Sequence, residues 1–177
     1  MSFVAQPLTA AGFEPFGWML GRAFPKEPHP SAFTNPATDF WSQHVFQTGA
    51  RDDVQGGAEI LWVNYRNRDL FVTHLEKHLL TEQAIVPLTG SIIQFMACSK
   101  ADGSADLSGA AAFVVHPGQG ICMRPGAWHA TRSLSPEVTC IMLTRASTTI
   151  DLVSHMYGGQ AASESVIAEI PRCELTV

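Results

Sequence analysis

Residues 74–90, HLEKHLLTEQAIVPLTG, place His74, Glu76 and His78 at alternate positions. Successive side chains of a β-strand point to opposite faces, so these three share one face whereas Lys77 takes the other. Imidazoles and a carboxylate turned into a protein interior are costly to desolvate, and a divalent cation compensates them efficiently. The alternation therefore predicts either a metal site or the solvated face of an edge strand.

The elements that must position these side chains are short and follow a period of two. Segments rich in β-branched and aromatic residues are separated by Gly, Pro, Asn, Asp or Ser, and they cover residues 58–65, 69–76, 91–98, 110–117 and 138–145. Residues 8–20 alone look helical, with Thr9 as N-cap, and Pro15 keeps that helix short. The pattern predicts an all-β sandwich or jelly-roll barrel with a short N-terminal helix.

Length and composition narrow the class of protein. The 177 residues suit one domain spanning residues 1–177. The net charge of -5, without a run of like charges, argues against nucleic acid or an anionic membrane as partner and favours a small molecule or another protein. The N-terminus lacks signal-peptide features, so we expect a cytoplasmic protein. The four scattered cysteines are expected to be reduced and mostly buried thiols.

Two windows have the spacing of the motifs of the cupin family. The first contains Glu76, His78, Gln83 and Gly90, with Glu76 in place of the usual His and Gln83 in place of the usual Glu. The second contains Gly118, Arg124, Gly126, His129 and Ser133. Two windows in this order, in a chain of short strands, resemble a cupin-type jelly-roll β-barrel.

The cupin resemblance implies a divalent metal ion bound by Glu76, His78, Gln83 and His129, with open coordination positions for a substrate. Imidazole, carboxylate and amide donors accept several ions, so nickel, manganese, zinc and iron all remain possible. Gln83 is a poor donor, and contact with the substrate or with another ligand is its alternative role.

At residue level the same windows, LEKHLLTEQAIVPLTG and GQGICMRPGAWHA, resemble the ureidoglycolate lyase family. The residues that carry the resemblance are Glu76, Lys77, His78, Gln83, Ala84, Pro87, Leu88, Gly90, Gly118, Gln119, Gly120, Trp128 and His129. Ala130 stands where the family has a second His, and Met123 where it has a Tyr. The resemblance implies a homodimeric carbon–nitrogen lyase of the amidine-lyase type, which releases urea and glyoxylate from ureidoglycolate in allantoin and purine degradation.

The proton-transfer groups are not assigned by the motifs. His74 is the first candidate because it shares the ligand face, and His116 is the second; a histidine hydrogen-bonded in the barrel wall is the alternative for each. Arg66 is the preferred carboxylate clamp, since Arg132 faces outward by strand parity. Lys77 is expected to be a solvated surface group.

Two further function classes remain open: another metal-dependent cupin enzyme acting on a small hydroxy or keto acid, and a ligand-binding cupin without catalysis. Residues 21–57 contain several prolines and aromatic residues, and they predict an irregular arm. Such apolar side chains should be covered, either by the partner of a homodimer or by the arm's own barrel.

Overall fold

The computed structural model describes residues 1–27, 29–34, 37–49, 56–159 and 162–177. The first half of the chain forms β1 (Ser2–Pro7), α1 (Ala10–Phe13), β2 (Gly17–Leu20), β3 (Ala32–Thr34), β4 (Asp39–Trp41), β5 (Ala58–Tyr65) and β6 (Phe71–His78). The second half forms β7 (Gln83–Pro87), β8 (Ile92–Ser99), β9 (Ala105–Val115), β10 (Gly120–Met123), β11 (Trp128–Ser133), β12 (Val138–Arg145), α2 (Ala146–Gly158) and β13 (Ser165–Thr176).

Two large sheets build the domain, and β3 and β4 form a third, two-stranded one. Six strands close into a barrel in the order β1-β13-β6-β11-β8-β9, and five form a facing sheet in the order β2-β10-β7-β12-β5. Within the barrel, β1 pairs in parallel with β13 and β9, whereas the remaining pairs are antiparallel. The expected all-β, cupin-type jelly-roll barrel is confirmed.

The core has two parts because β8 is buried on both faces. Ile92 and Met96 join a cluster with Ile85 and Ile121 of the facing sheet, so this cluster fills the space between barrel and sheet. Phe95, on the alternate face, joins a second cluster on the other side of the barrel wall. Polar side chains that point into the space between barrel and sheet are therefore buried, and they need hydrogen-bond or ionic partners there.

The predicted N-terminal helix is present as α1, where the Thr9 hydroxyl accepts from the Gly12 amide at 3.1 Å, but it ends at Phe13. The end of the predicted helical stretch was wrong, because Gly17–Leu20 pairs with β10 as strand β2. The sequence did not predict α2, whose first turn contains Ser147, Thr148 and Thr149, all weak helix formers. Tertiary contacts hold this helix: Thr148 Oγ1 donates to Glu164 Oε2 at 2.7 Å, next to β13. None of the helices in the described ranges is long and apolar enough to cross a membrane.

The arm between β2 and β5 is more regular than expected, since β3 and β4 form a two-stranded hairpin. The Trp41 ring lies 4.7 Å from the Arg22 guanidinium and 6.0 Å from the Phe24 ring. Farther along, the His44 ring stacks on Trp18 at 4.0 Å. These described parts of the arm pack against their own subunit, whereas the side chains of Phe33 and Phe40 fall outside the described ones.

Candidate functional site

Glu76, His78 and His129 meet in the space between the barrel wall and the facing sheet. Each offers one ligand atom, and these atoms all lie within 4.8 Å of one another. Strand pairing explains the convergence, because Glu76 of β6 lies directly opposite His129 of β11. His78 follows two residues after Glu76 on the same face, and its ring centroid is 5.2 Å from that of His129.

His129 is oriented as a metal ligand would be. Its Nδ1–H donates to the Ala127 carbonyl at 3.1 Å, which leaves the lone pair on Nε2. Nε2 is buried, lies 3.3 Å from Glu76 Oε1 and has no hydrogen-bond partner. A lone pair and a carboxylate oxygen facing each other at ion-pair distance, outside hydrogen-bond geometry, are two donors that a cation would satisfy together.

His78 is held from both sides. Its Nδ1 contacts the Ser165 hydroxyl at 3.0 Å, and its Nε2 lies 2.9 Å from the amide nitrogen of Gln83. Burial, and then repulsion from the His129 ring when it is protonated, lower the pKa of His78 to about 4, although Glu76 and Gln83 act in the opposite direction. His78 is therefore neutral at pH 7, which is the form of imidazole that binds a metal.

Glu76 is ionised at neutral pH. Desolvation raises its pKa, but the contact with His129 and the attraction of both histidines when their rings are protonated outweigh this effect and leave the pKa below its ordinary value. Its side chain is 38% exposed to solvent, so one side of the carboxylate faces water. The donor set of one carboxylate and two imidazoles fits a divalent cation.

A cavity of about 240 Å³ opens beside these donors, between β6 and β11. Its walls are formed by Tyr65, His74, Leu75, Glu76, His129, Ala130, Thr131, Arg132 and Ile167. Sequence reasoning missed Tyr65. The available signal was its parity with Leu61 and Val63, both of which pack against the core between barrel and sheet.

Burial first, and then the charge of Glu76, raise the pKa of the Tyr65 phenol. The phenol therefore stays protonated at neutral pH and remains a hydrogen-bond donor. Its position on the cavity wall makes it a polar contact for a bound molecule.

The other predicted residues are divided between the cavity and the surface. His74 lines the cavity, and its Nδ1 contacts the Thr73 hydroxyl at 3.0 Å. His116 is exposed and contacts the Ser91 hydroxyl at 2.8 Å, while Arg66 pairs with Glu137 at 2.6 Å. Neither His116 nor Arg66 is among the described residues that line the cavity.

Arg132 lines the cavity although strand parity predicted that it faces outward. The cavity lies in the gap between β6 and β11, so side chains from both faces of these strands line it. The Arg132 guanidinium donates to the carbonyls of Phe71 at 3.0 Å and Thr131 at 2.9 Å, which fixes its plane in the wall.

Lys77 points away from the site, as its parity predicts, but it is not solvated. Only 7% of it is exposed, and its Nζ donates to the Gly103 carbonyl at 2.7 Å and to the Ser99 hydroxyl at 3.2 Å. The ammonium also lies 4.4 Å from the centre of the Trp128 ring. Lys77 is thus a buried structural cation on the far side of the barrel wall.

A family model described as ureidoglycolate lyase matches residues 1–162. No curated protein matches the chain. The chain is similar to a dTDP sugar isomerase from Desulfovibrio desulfuricans G20, with 12% identity over 79% of each chain and a TM-score of 0.44.

Two longer proteins are also similar to the chain. Bacillus subtilis oxalate decarboxylase has 10% identity over 64% of this chain and 33% of its own, with a TM-score of 0.35. Vicilin from Solanum melongena has 8% identity over 64% of this chain and 26% of its own, with a TM-score of 0.40. The chain thus spans a third or less of the length of these two proteins.

Proposed function

Because this chain belongs to the ureidoglycolate lyase family, we propose that it cleaves ureidoglycolate to urea and glyoxylate. The observation that carries the proposal is the convergence of Glu76, His78 and His129 at the side of an open cavity. A small hydroxy acid needs both features: a place to bind its oxygens and a space for its leaving group.

The donors would hold a divalent metal ion through Glu76, His78 and His129. Gln83 lies against His78 Nε2, and rotation of its amide would turn the carbonyl oxygen toward the same point. When bound, the ion supplies Lewis-acid polarisation of the substrate oxygen and lowers the pKa of the carbinol hydroxyl. Nitrogen and oxygen donors of this kind accept nickel, manganese, zinc or iron.

The cavity wall offers groups suited to the rest of the substrate. Tyr65 provides a protonated phenol, and Arg132 provides a positive charge for the substrate carboxylate. Arg132 replaces Arg66 as the preferred clamp because Arg66 pairs with Glu137 outside the cavity.

The reaction moves one proton and one electron pair. The carbinol O–H loses its proton, the oxygen forms the aldehyde carbonyl of glyoxylate, and the C–N bond breaks. The bonding pair goes to the ureido nitrogen, which takes up a proton to become urea. We assign this transfer to His74, whose exposed imidazole on the cavity wall accepts the carbinol proton and returns it to the nitrogen.

We also propose that the protein is a cytoplasmic homodimer. Ile60 and Trp62 of edge strand β5 are exposed, and so are Met156 and Tyr157 of α2. The two elements adjoin, since the Ala146 amide at the start of α2 donates to the carbonyl of Gly57 just before β5. A second copy would cover these apolar side chains, and an unpaired sheet edge also favours association. Light scattering at micromolar protein tests this, and a species of only ~19 kDa contradicts it.

The test of the lyase proposal combines metal analysis with urea release. Metal-stripped protein is loaded in turn with nickel, manganese, zinc and iron, and urea is measured against the spontaneous rate. We expect at least one ion to give release that Glu76→Gln abolishes and Lys100→Ala, a change at an exposed site, leaves intact. Absence of urea above the spontaneous rate with every ion would remove the lyase assignment.

A further inference from the structure

A second group of metal-ligating side chains lies outside the cavity. His44, Glu82 and Cys122 each offer one ligand atom, and these atoms lie within 4.8 Å of one another. His44 belongs to the arm, Glu82 immediately precedes β7 and Cys122 is in β10. The group therefore brings three distant parts of the chain to one point.

This second group is on the opposite face of the facing sheet from the cavity donors. In the pairing of β7 with β10, Gln83 lies opposite Met123, and both side chains point toward the interior, where they meet His78 and the core. Since strand neighbours alternate, Cys122 points outward. Cys122 pairs with Trp18 of β2 on that outer face, and His44 stacks on Trp18 at 4.0 Å and 18°. An ion held here would be separate from one in the cavity.

One carboxylate oxygen is the centre of the group. Glu82 Oε2 lies 2.9 Å from His44 Nε2 and 3.7 Å from Cys122 Sγ, and it accepts the Gln47 amide at 2.8 Å. Glu82 and Cys122 are almost completely buried, the latter with 1% of its surface exposed. A buried carboxylate, imidazole and thiol in mutual contact are the donor types of a zinc site.

The two distances from Glu82 Oε2 are close to those of tetrahedral coordination. Zinc bonds of about 2.0 Å to nitrogen or oxygen and about 2.3 Å to sulfur place ligand atoms roughly 3.3 to 3.6 Å apart. The sulfur-to-oxygen distance of 3.7 Å already matches, and the nitrogen-to-oxygen distance of 2.9 Å needs to widen by only a few tenths of an ångström. The Gln47 amide can continue to donate to the carboxylate and orient it, as partners of metal ligands commonly do.

We propose that His44 Nε2, Glu82 Oε2 and Cys122 Sγ bind a zinc ion, with water as the fourth ligand. A thiolate beside an imidazole selects zinc over magnesium, calcium and manganese. Without the ion, burial and the Glu82 charge raise the pKa of the Cys122 thiol, so binding releases the thiol proton to solvent. The bound ion would fasten the arm at His44 to the sheet at Cys122.

Cobalt(II) titration of the metal-stripped full chain tests this site, because a cobalt–thiolate bond gives a near-ultraviolet charge-transfer band. We expect two equivalents to bind, one of them with the band. Cys122→Ser should lose the band and one equivalent, whereas His78→Ala should lose the other equivalent and keep the band. Zinc at equimolar concentration should displace the cobalt and bleach the band.

Matched controls are Cys98→Ser at an exposed thiol and Cys140→Ser at a buried one, and both should keep the band. If Cys122→Ser does not fold, folded His44→Gln must weaken the band-forming binding at least about tenfold. Cobalt binding without a band in the wild type, or a band that persists in Cys122→Ser, would overturn the proposal.

Discussion

Glu76 and His129 form the one bridge that joins β6 to β11 within the described part of the chain, and their side chains meet at 3.3 Å between Oε1 and Nε2. The two strands of the wall are thus closest where the donors lie. A single bridge also leaves room beside it for the cavity, whose walls include residues of both strands. The same pairing therefore places the donors and opens the space next to them.

Loss of a single imidazole should remove both metal and activity. His78→Ala or His129→Ala removes one ligand of the metal ion. We expect the affinity for the metal to fall by at least about 100-fold and urea release to fall with it. His116→Ala is the matched control, because this histidine contacts Ser91 outside the cavity. The His116→Ala protein should release urea at the wild-type rate. A large loss of turnover in His116→Ala would restore its predicted catalytic role.

Lys77→Ala should cost stability rather than chemistry. The change removes the two hydrogen bonds of the ammonium and its contact with the Trp128 ring. The Gly103 carbonyl loses the ammonium and keeps the hydrogen bond from Trp128 Nε1. We expect the free energy of unfolding to fall by about 2 kcal/mol, measured by urea denaturation. Urea release per folded molecule should remain unchanged. Exposed Lys100→Ala is the control, and equal stability of the two variants would contradict a structural role for Lys77.

Metal-free protein should lose stability as the pH falls from about 6.5 to 4. The pKa of His78 is near 4 in the folded chain and 6.5 ordinarily, so the unfolded chain takes up a proton in this window that the folded chain does not. The contribution of His78 to the free energy of unfolding is fully present above pH 6.5, and it falls by up to about 3 kcal/mol as the pH decreases toward 4. The depressed pKa of Glu76 adds a further loss at the acidic end.

Denaturation midpoints measured across this range in chelator, with His78→Gln for comparison, check the linkage. The variant should lack most of the slope, whereas His29→Gln, at an exposed histidine, should keep it. An unchanged slope in His78→Gln would assign the pH dependence to other groups.

The two departures from the family should respond differently to reversal. Ala130 lines the cavity, so Ala130→His has space for its ring and should change the KM for ureidoglycolate without loss of fold. Met123 is buried in the core, with its sulfur 3.5 Å from the Gln94 amide, so Met123→Tyr should overpack this region and cost about 1–3 kcal/mol. Thermal denaturation and steady-state kinetics of both variants distinguish these outcomes.

Strand parity predicted much of this structure because it depends only on local geometry. It placed Glu76 and His78 on one face and Lys77 on the other, and the predicted segments 58–65 and 138–145 coincide with β5 and β12. The other three predicted segments overlap β6, β8 and β9 with shifted ends. It failed where distant parts of the chain decide the environment. The burial of Lys77 depends on Trp128 and Gly103, and the access of Arg132 depends on how β6 and β11 separate. The pairing of His44 with Glu82 depends on the path of the arm, which no period in the sequence reveals.

His74→Ala separates proton transfer from metal binding. His74 shares a strand face with Glu76 and lines the cavity, but it is not in the group of donors within 4.8 Å of one another. We expect kcat to fall by roughly 10²- to 10⁴-fold, the range of general acid–base catalysis, while metal content stays at the wild-type level. His74→Gln should lower kcat to a similar extent, because glutamine is polar but cannot carry the proton. Thr73→Val removes the hydroxyl that contacts His74 Nδ1, and it should cause a smaller loss of kcat. Metal lost together with activity in His74→Ala would instead place this imidazole in the ligand set, in the position predicted for Gln83.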